Sequence, residues 1–467
     1  MKTLQRTLLV CYLIVSVCFL PVRSNGFTIG EEREVGEKLL YTVRSSFEVL
    51  DDPDLKQYIE KLGEEVIKVA GVQFFDYHFF VLKSKDFNAF AAPSGLIFFN
   101  SGLIEKVDSE NELVSVIAHE IGHIVKRHIS SRIGKGKKIS LATMGLVLAA
   151  LALGGGAATE ALLAGSMAAG QSAALHFSRL DEEEADLLAY DWMKKMERHP
   201  DGQVKMLQTM RQIARYRSSM MPQYLLTHPN PEARLDYVQT LVSSDKKEIE
   251  GFNRGNNFDF LRFKYRIMAE TKDSFYLREY CSSVLSSSRA DELEIIMAKY
   301  GLAQLDRIEN NYASSLKLIE EVINTIGQKN VLLVDRGIIE FESGNTEKAY
   351  TTLSAAYKND RSNMYAAHSL AGVAFQMGLL EEAEKLYKDV IAEIPEYDKA
   401  YFNLGKLSAT RGKSAETKYY LGKYDLLHGK LELSRKNLET AISEGNLEDE
   451  QQLDAEQTLD LIKRLEK

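Results

Sequence analysis

The chain has 467 residues, 45% of them hydrophobic and 27% charged, with a formal net charge of −9. That length suits two or three domains, and the composition is that of an ordinary globular protein. The acidic balance, with no basic stripe, argues against a nucleic-acid partner.

Residues 1–24 read as a cleavable secretory signal. Lys2 and Arg6 give a positive start, Leu8 to Leu20 is apolar but short for a membrane span, and Val22-Arg23-Ser24 provides a cleavage region. A lipid anchor at Cys18 is disfavoured by the bulk of Val17. Removing the three positive side chains Lys2, Arg6 and Arg23 takes the net charge from −9 to −12 and leaves Cys281 as the only cysteine. A lone cysteine forms no internal disulfide, so stability must come from packing and a bound metal. The expectation is an exported bacterial protein of the periplasm.

The run Val116-Ile117-Ala118-His119-Glu120-Ile121-Gly122-His123-Ile124-Val125 carries an HExxH motif in a helical pattern. Residues four apart share a helix face, so His119 and His123 can reach one metal ion, with Glu120 placed as a base for an attacking water. A catalytic zinc keeps three protein ligands, so one more is needed. One known continuation needs a third His six residues on, with a Gly between. Here Ile129 and Lys126 stand at those places. His128 is one residue off and reads as a helix-face His that packs internally or caps the helix end.

Lys135-Gly136-Lys137-Lys138 reads as a solvated loop or a membrane-surface contact. From Ile139 to Ala158 the chain is apolar and uncharged, broken by Gly154-Gly155-Gly156. We expect residues 139–170 to form an apolar helical hairpin near the cleft, with peripheral membrane contact or a membrane span as alternatives.

The other continuation takes a Glu from a second helix. Phe177-Ser178-Arg179-Leu180-Asp181-Glu182-Glu183-Glu184-Ala185-Asp186 fits it. Glu182 can ligate, while Asp186, four residues on, accepts the outer N–H of a ligand His. Ser178 and Asp181 also make a capping-box start, and both readings can hold together.

Three further segments carry a likeness: Asp52-Pro53-Asp54-Leu55 with Tyr58 and Leu62-Gly63; Asn88-Ala89-Phe90-Ala91-Ala92-Pro93-Ser94-Gly95-Leu96-Ile97-Phe98; and Thr227-His228-Pro229-Asn230-Pro231-Glu232-Ala233-Arg234-Leu235. With the HExxH and the Glu182/Asp186 pair, they make residues 27–240 resemble the gluzincin metalloproteases of the HtpX and CaaX prenyl-protein endopeptidase type. The likeness implies a zincin fold, one Zn2+ per chain and endopeptidase activity. It also implies that Ser94, Gly95, Leu96, Ile97 and Phe98 form an edge beside the cleft, where substrate adds as a strand. Ser94 departs from the Gly usual there. His228 is open to three readings: an oxyanion donor, a further zinc ligand that keeps the enzyme latent, or a turn residue held extended by Pro229. Arg234 either pairs with a Glu or Asp near the site or caps the following helix.

Residues 246–290 read as a helical connector. Beyond them Gly301, Gly337, Gly372 and Gly405 recur at steps of 36, 35 and 33, near the tetratricopeptide period of 34. Residues 291–467 are therefore expected to form a tetratricopeptide-repeat solenoid, whose surface binds peptides or partner proteins. The fold class expected overall is mainly α with a small β-sheet, a zincin-type domain at 25–245 followed by the solenoid. The expected function is zinc-dependent proteolysis in quality control of misfolded or stalled envelope and outer-membrane proteins. The repeats would recruit clients or the outer-membrane assembly machinery. The competing expectation is a largely latent protease that works as a chaperone or assembly factor through its repeats.

Overall fold

A computed structural model describes residues 28–135, 177–216, 224, 227–255 and 257–466. The signal expected at 1–24 and the hairpin expected at 139–170 lie outside the described residues. Among the described residues, no helix is long and apolar enough to cross a membrane.

The N-terminal half starts with α1 (Ile29–Ser46) and α2 (Pro53–Ala70), followed by a sheet of β1 (His78–Leu82), β2 (Ala89–Ala92) and β3 (Leu96–Asn100). Next come α3 (Ser101–Lys106), α4 (Glu110–Val125), α5 (His128–Lys135), α6 (Arg179–Lys195), α7 (Asp201–Tyr216), α8 (Pro231–Ser244) and the short α9 (Lys246–Ile249). Both α1 and α2 open on side-chain caps: Thr28 forms a capping box with Glu31, and Asp52 accepts from Asp54 and Leu55 ahead of Pro53 at the first helical position. The helix α4 runs through the middle of this half, with residues 110–124 all buried. A helix apolar on nearly every side belongs in such a place.

The strand order is β1-β3-β2, with β3 parallel to β1 and antiparallel to β2. This corrects the expected substrate edge at residues 94–98. Leu96, Ile97 and Phe98 belong to the central strand, whose backbone groups are taken on both sides, so no further strand can add there. Ser94 and Gly95 lie in a 3-10 turn ahead of it. Central position also explains the apolar run: Phe98 stacks on Phe80 and on Phe90, from the strands on either side. Ser94 has φ 68°, the left-handed region that glycine enters most easily. The outer strand beside α4 is β2.

The chain continues through α10 (Asn257–Thr271) and α11 (Ser274–Leu285) into four helical pairs: α12 (Glu292–Ile308) with α13 (Tyr312–Ile326), α14 (Asn330–Glu342) with α15 (Thr346–Asn359), α16 (Met364–Gln376) with α17 (Leu380–Glu393), and α18 (Asp398–Thr410) with α19 (Ser414–Leu427); α20 (Leu431–Glu444) then packs back on α19, and α21 (Asp449–Leu465) follows it. Short connections make the members of each pair antiparallel neighbours. The fold is thus mainly α with one small sheet, as expected from the sequence. Glycines with positive φ, Gly344, Gly378 and Gly412, turn three of the pairs. The period-marking glycines do different work. A Cβ on Gly337 would meet Leu353 of the paired helix at 2.7 Å, whereas one on Gly301 would run into the Tyr265 ring of α10.

The solenoid docks on α1 and α2. Arg262 of α10 bridges Asp54 (2.7 Å) and Asp335 of α14 (2.9 Å), and Arg266 holds Asp52 at 2.9 Å. Farther along, Glu396 meets His78 (2.7 Å) and Lys56 (3.2 Å), and Arg464 reaches Glu37 at 3.3 Å.

Candidate metal centre

The two imidazoles of α4 project on one side, with His119 Nε2 and His123 Nε2 3.1 Å apart. The second helix meets them there. Ser178 caps α6, exchanging hydrogen bonds with Asp181, and this start aims Glu182, one residue later, inward. The Glu182 carboxylate lies 3.5 Å from each Nε2. Close approach of α4 and α6 depends on Gly122, where an added Cβ would stand 3.3 Å from Ala185 Cα.

His228 enters from the segment before α8. Its Nδ1 is 3.0 Å from Glu182 Oε1 and 3.3 Å from His119 Nε2. One ligand atom each of His119, His123, Glu182 and His228 thus lies within 4.8 Å of the others, and all four residues are buried. Glu120 stands beside them, its Oε1 3.5 Å from His228 Nε2.

Outer contacts hold the set. His119 Nδ1 is 3.0 Å from Asp186 Oδ1. Arg234 of α8 pairs with Asp186 (2.6 Å) and Glu182 (2.7 Å). Burial alone would raise the Glu182 carboxyl, but His228 and Arg234 hold it well below the usual carboxylate range. Burial likewise opposes ionisation of Asp186, and Arg234 and His119 outweigh it, holding the carboxyl at about 2. Burial and Arg234 disfavour charge on His119, yet Asp186 and Glu182 raise it to about 9. Burial, and then the neighbouring His119, push His123 well below its ordinary value. The electrostatics therefore fix two buried carboxylates as anions facing a cluster of nitrogens.

Two observations test whether a metal fits. Both carboxylate oxygens of Glu120 are buried and lack a hydrogen-bond partner among the described residues. Such orphaned oxygens are costly unless a ligand engages them. The donor set of three imidazole nitrogens and a carboxylate is one that zinc and neighbouring divalent metals take. The residues present fit a divalent ion.

Seven of the residues named from the sequence converge here: His119, Glu120, His123, Glu182, Asp186, His228 and Arg234. Ser94 to Phe98 supply no side chain to the cluster. Phe177 and Tyr224 join it without any warning from the sequence. The Phe177 ring stacks on His123 at 3.8 Å between centroids, and Tyr224 lies against His228 at 4.3 Å. Neither sits in a periodic pattern, so nothing in its local sequence signals the contact.

Residues 53–242 match peptidase family M48. The beta-barrel assembly-enhancing protease of Escherichia coli (strain K12) is 32% identical over 215 residues, 45% of this chain and 44% of that protein. Metalloprotease LoiP of the same strain is 30% identical over 172 residues, 35% of this chain and 62% of its own length. The chain spans about half the length of the curated assembly-enhancing proteases it matches. The crystal structure of YrrB, described as a TPR protein with an unusual peptide-binding site, covers 42% of this chain and 94% of its own at 15% identity, with a TM-score of 0.28.

Proposed function

We propose that this chain, whose residues 53–242 match peptidase family M48, is an exported zinc endopeptidase acting on misfolded or stalled envelope and outer-membrane proteins. The observation that carries the reading is the buried convergence of His119, His123 and Glu182 beside the Glu120 carboxylate, whose oxygens accept no hydrogen bond among the described residues. The likeness to the beta-barrel assembly-enhancing protease of Escherichia coli supports the choice of envelope clients. In this reading residues 1–24 are a signal, 25–245 the protease, 246–290 the connector and 291–467 the repeats. The repeats recruit clients or an outer-membrane assembly complex.

His119, His123 and Glu182 would hold the metal. A bound zinc would polarise the scissile carbonyl and acidify a water molecule. Glu120 accepts the proton of the attacking water and returns it to the leaving amine. Burial keeps competing water from that carboxylate. An extended substrate segment is expected to pair along β2, the strand with an outer edge next to α4, so that backbone bonds give affinity with little sequence preference.

One observation favours a second, latent state. His228 points Nδ1 at Glu182 and His119 rather than outward. An imidazole there would be placed to serve as a fourth ligand and to close the position a catalytic zinc needs.

The test is degradation of an unfolded model protein by residues 25–467, beside Glu120→Gln and His228→Ala. The parent should cleave, and Glu120→Gln should lose about 10²–10⁴-fold in rate while keeping zinc. A zinc-loaded, folded parent without activity, together with an equally inactive His228→Ala, would sink the endopeptidase reading. Higher activity in His228→Ala supports the latent state, and lower activity supports an oxyanion role.

A further inference from the structure

His128 stands outside the ligand set, yet its ring touches a ligand. Its Nδ1 lies 2.9 Å from His123 Nδ1. On a continuous helix, five residues correspond to a rotation of about 140° beyond a full turn, which would carry His128 off the face of His123. The chain avoids that by ending α4 at Val125 and placing Arg127 at φ 51°. A non-glycine residue in the left-handed region needs outside support. Arg127 has it: Nε and Nη2 both donate to the buried Glu32 Oε2 of α1, at 3.1 and 2.9 Å. The chain then turns back, and α5 begins with His128 over the outer edge of His123.

The far side of the His128 ring is engaged as well. Nε2 is 3.1 Å from Glu184 Oε2, and Lys126 pairs with the other Glu184 oxygen. The hydrogen-bond directions follow from the metal-ligand role. His123 faces the cluster with Nε2, so as a neutral ligand it carries its hydrogen on Nδ1. That N–H must donate to His128 Nδ1, which then has to be an acceptor. The hydrogen of His128 is therefore on Nε2 and donates to Glu184. Each link fixes the tautomer of the next.

We infer that His128, anchored by Glu184, is a positioning residue for the metal ligand His123, holding its ring and tautomer through a carboxylate–His–His chain. This rests on the metal-site reading above. Nothing in the local spacing announces it, since the contact exists only because of the reversal at Arg127. Outer partners of this kind orient a ligand ring and strengthen its basicity, and their loss typically costs about 10–100-fold in metal affinity.

The test measures zinc affinity of the full chain by competition with a chromophoric chelator, and the visible spectrum of the Co2+-loaded protein. His128→Phe keeps ring bulk but neither accepts nor donates. It should weaken zinc about 10–100-fold and alter the cobalt bands. His128→Asn places a carbonyl oxygen where Nδ1 was, accepts from His123, and should recover most of the affinity. Glu184→Ala changes a half-exposed side chain and should weaken zinc through the loss of its hold on His128; it decides the matter if His128→Phe fails to fold. Zinc affinity of His128→Phe and Glu184→Ala within about twofold of the parent overturns the inference, as does an Asn variant no better than Phe. A parent that binds no zinc would remove the metal site itself, a result distinct from a parent that binds it and variants that bind it equally.

Discussion

Arg234 meets Asp186 through two nitrogens, Nε at 2.6 Å from Oδ2 and Nη2 at 2.8 Å from Oδ1. The same guanidinium reaches Glu182 at 2.7 Å. One cation on α8 thus neutralises both a candidate ligand and the carboxylate that orients His119. Bidentate geometry of this kind is specific to Arg. Removing it leaves two buried carboxylates short of a counter-charge. Arg234→Met should therefore lose about 3–5 kcal/mol in metal-free protein. Saturating zinc, a competing cation at the same carboxylates, should raise the Tm of the variant more than that of the parent. Equal zinc shifts in the two proteins would contradict the shared role.

The approach of α4 to α6 sets the span between the two imidazoles and Glu182. Gly122→Val would push its side chain into the Ala185 backbone, already 3.3 Å from an ideal Cβ at residue 122. The helices must separate by some tenths of an ångström, and metal geometry does not tolerate that. Zinc affinity should fall at least about tenfold while circular dichroism stays helical. Unchanged affinity would mean that the helices do not control the ligand span.

Docking of the solenoid depends on buried ion pairs. Arg262 joins Asp54 to Asp335, and Asp335 also accepts from the hydroxyls of Tyr300 and Tyr365, at 3.1 and 3.0 Å. Arg262→Met should cost about 3–5 kcal/mol, because the buried Asp335 loses its cation while Asp54 keeps only Arg266. Chemical denaturation should then show the two halves melting separately. A single transition at the parent midpoint would show that apolar packing alone holds them.

His368 of α16 provides a pH-dependent term. Burial pushes its imidazole down to about 4, with Asp52 opposing the shift and Lys399 reinforcing it. Tyr387, Tyr397 and Asn403 surround the ring. In the unfolded chain it titrates near its ordinary value of about 6.5. Between these values the unfolded state binds the extra proton. The contribution is therefore complete above pH 6.5 and is lost as pH falls toward 4. The Tm drop from pH 7.5 to 5 should be smaller in His368→Gln than in the parent, as read by calorimetry at both pH values. An equal drop would place the acid sensitivity elsewhere.

The chemistry of the site is legible in the amino-acid sequence. His119, Glu120 and His123 are local on one helix, where a period of 3.6 residues dictates which side chains share a face. Glu182 and Asp186 obey the same rule on a second helix, and a glycine period near 34 announces the helical pairs. These features depend on neighbours within a turn or a repeat, so sequence carries them. Strand order does not have that property. The run Leu96 to Phe98 is as apolar as an edge packed on a core, and only the pairing with β1 and β2 shows that it is central. The same limit applies to His128, whose contact with His123 requires a left-handed Arg127 braced by Glu32 from 95 residues away. Arg262, Asp54 and Asp335 likewise meet only after the solenoid folds back. Ligand types and helical periods are local properties, and residue order alone specifies them. Strand order, the reversal at Arg127 and the docking of the repeats arise only in the folded chain, because each depends on groups distant in sequence whose desolvation is offset only when they meet.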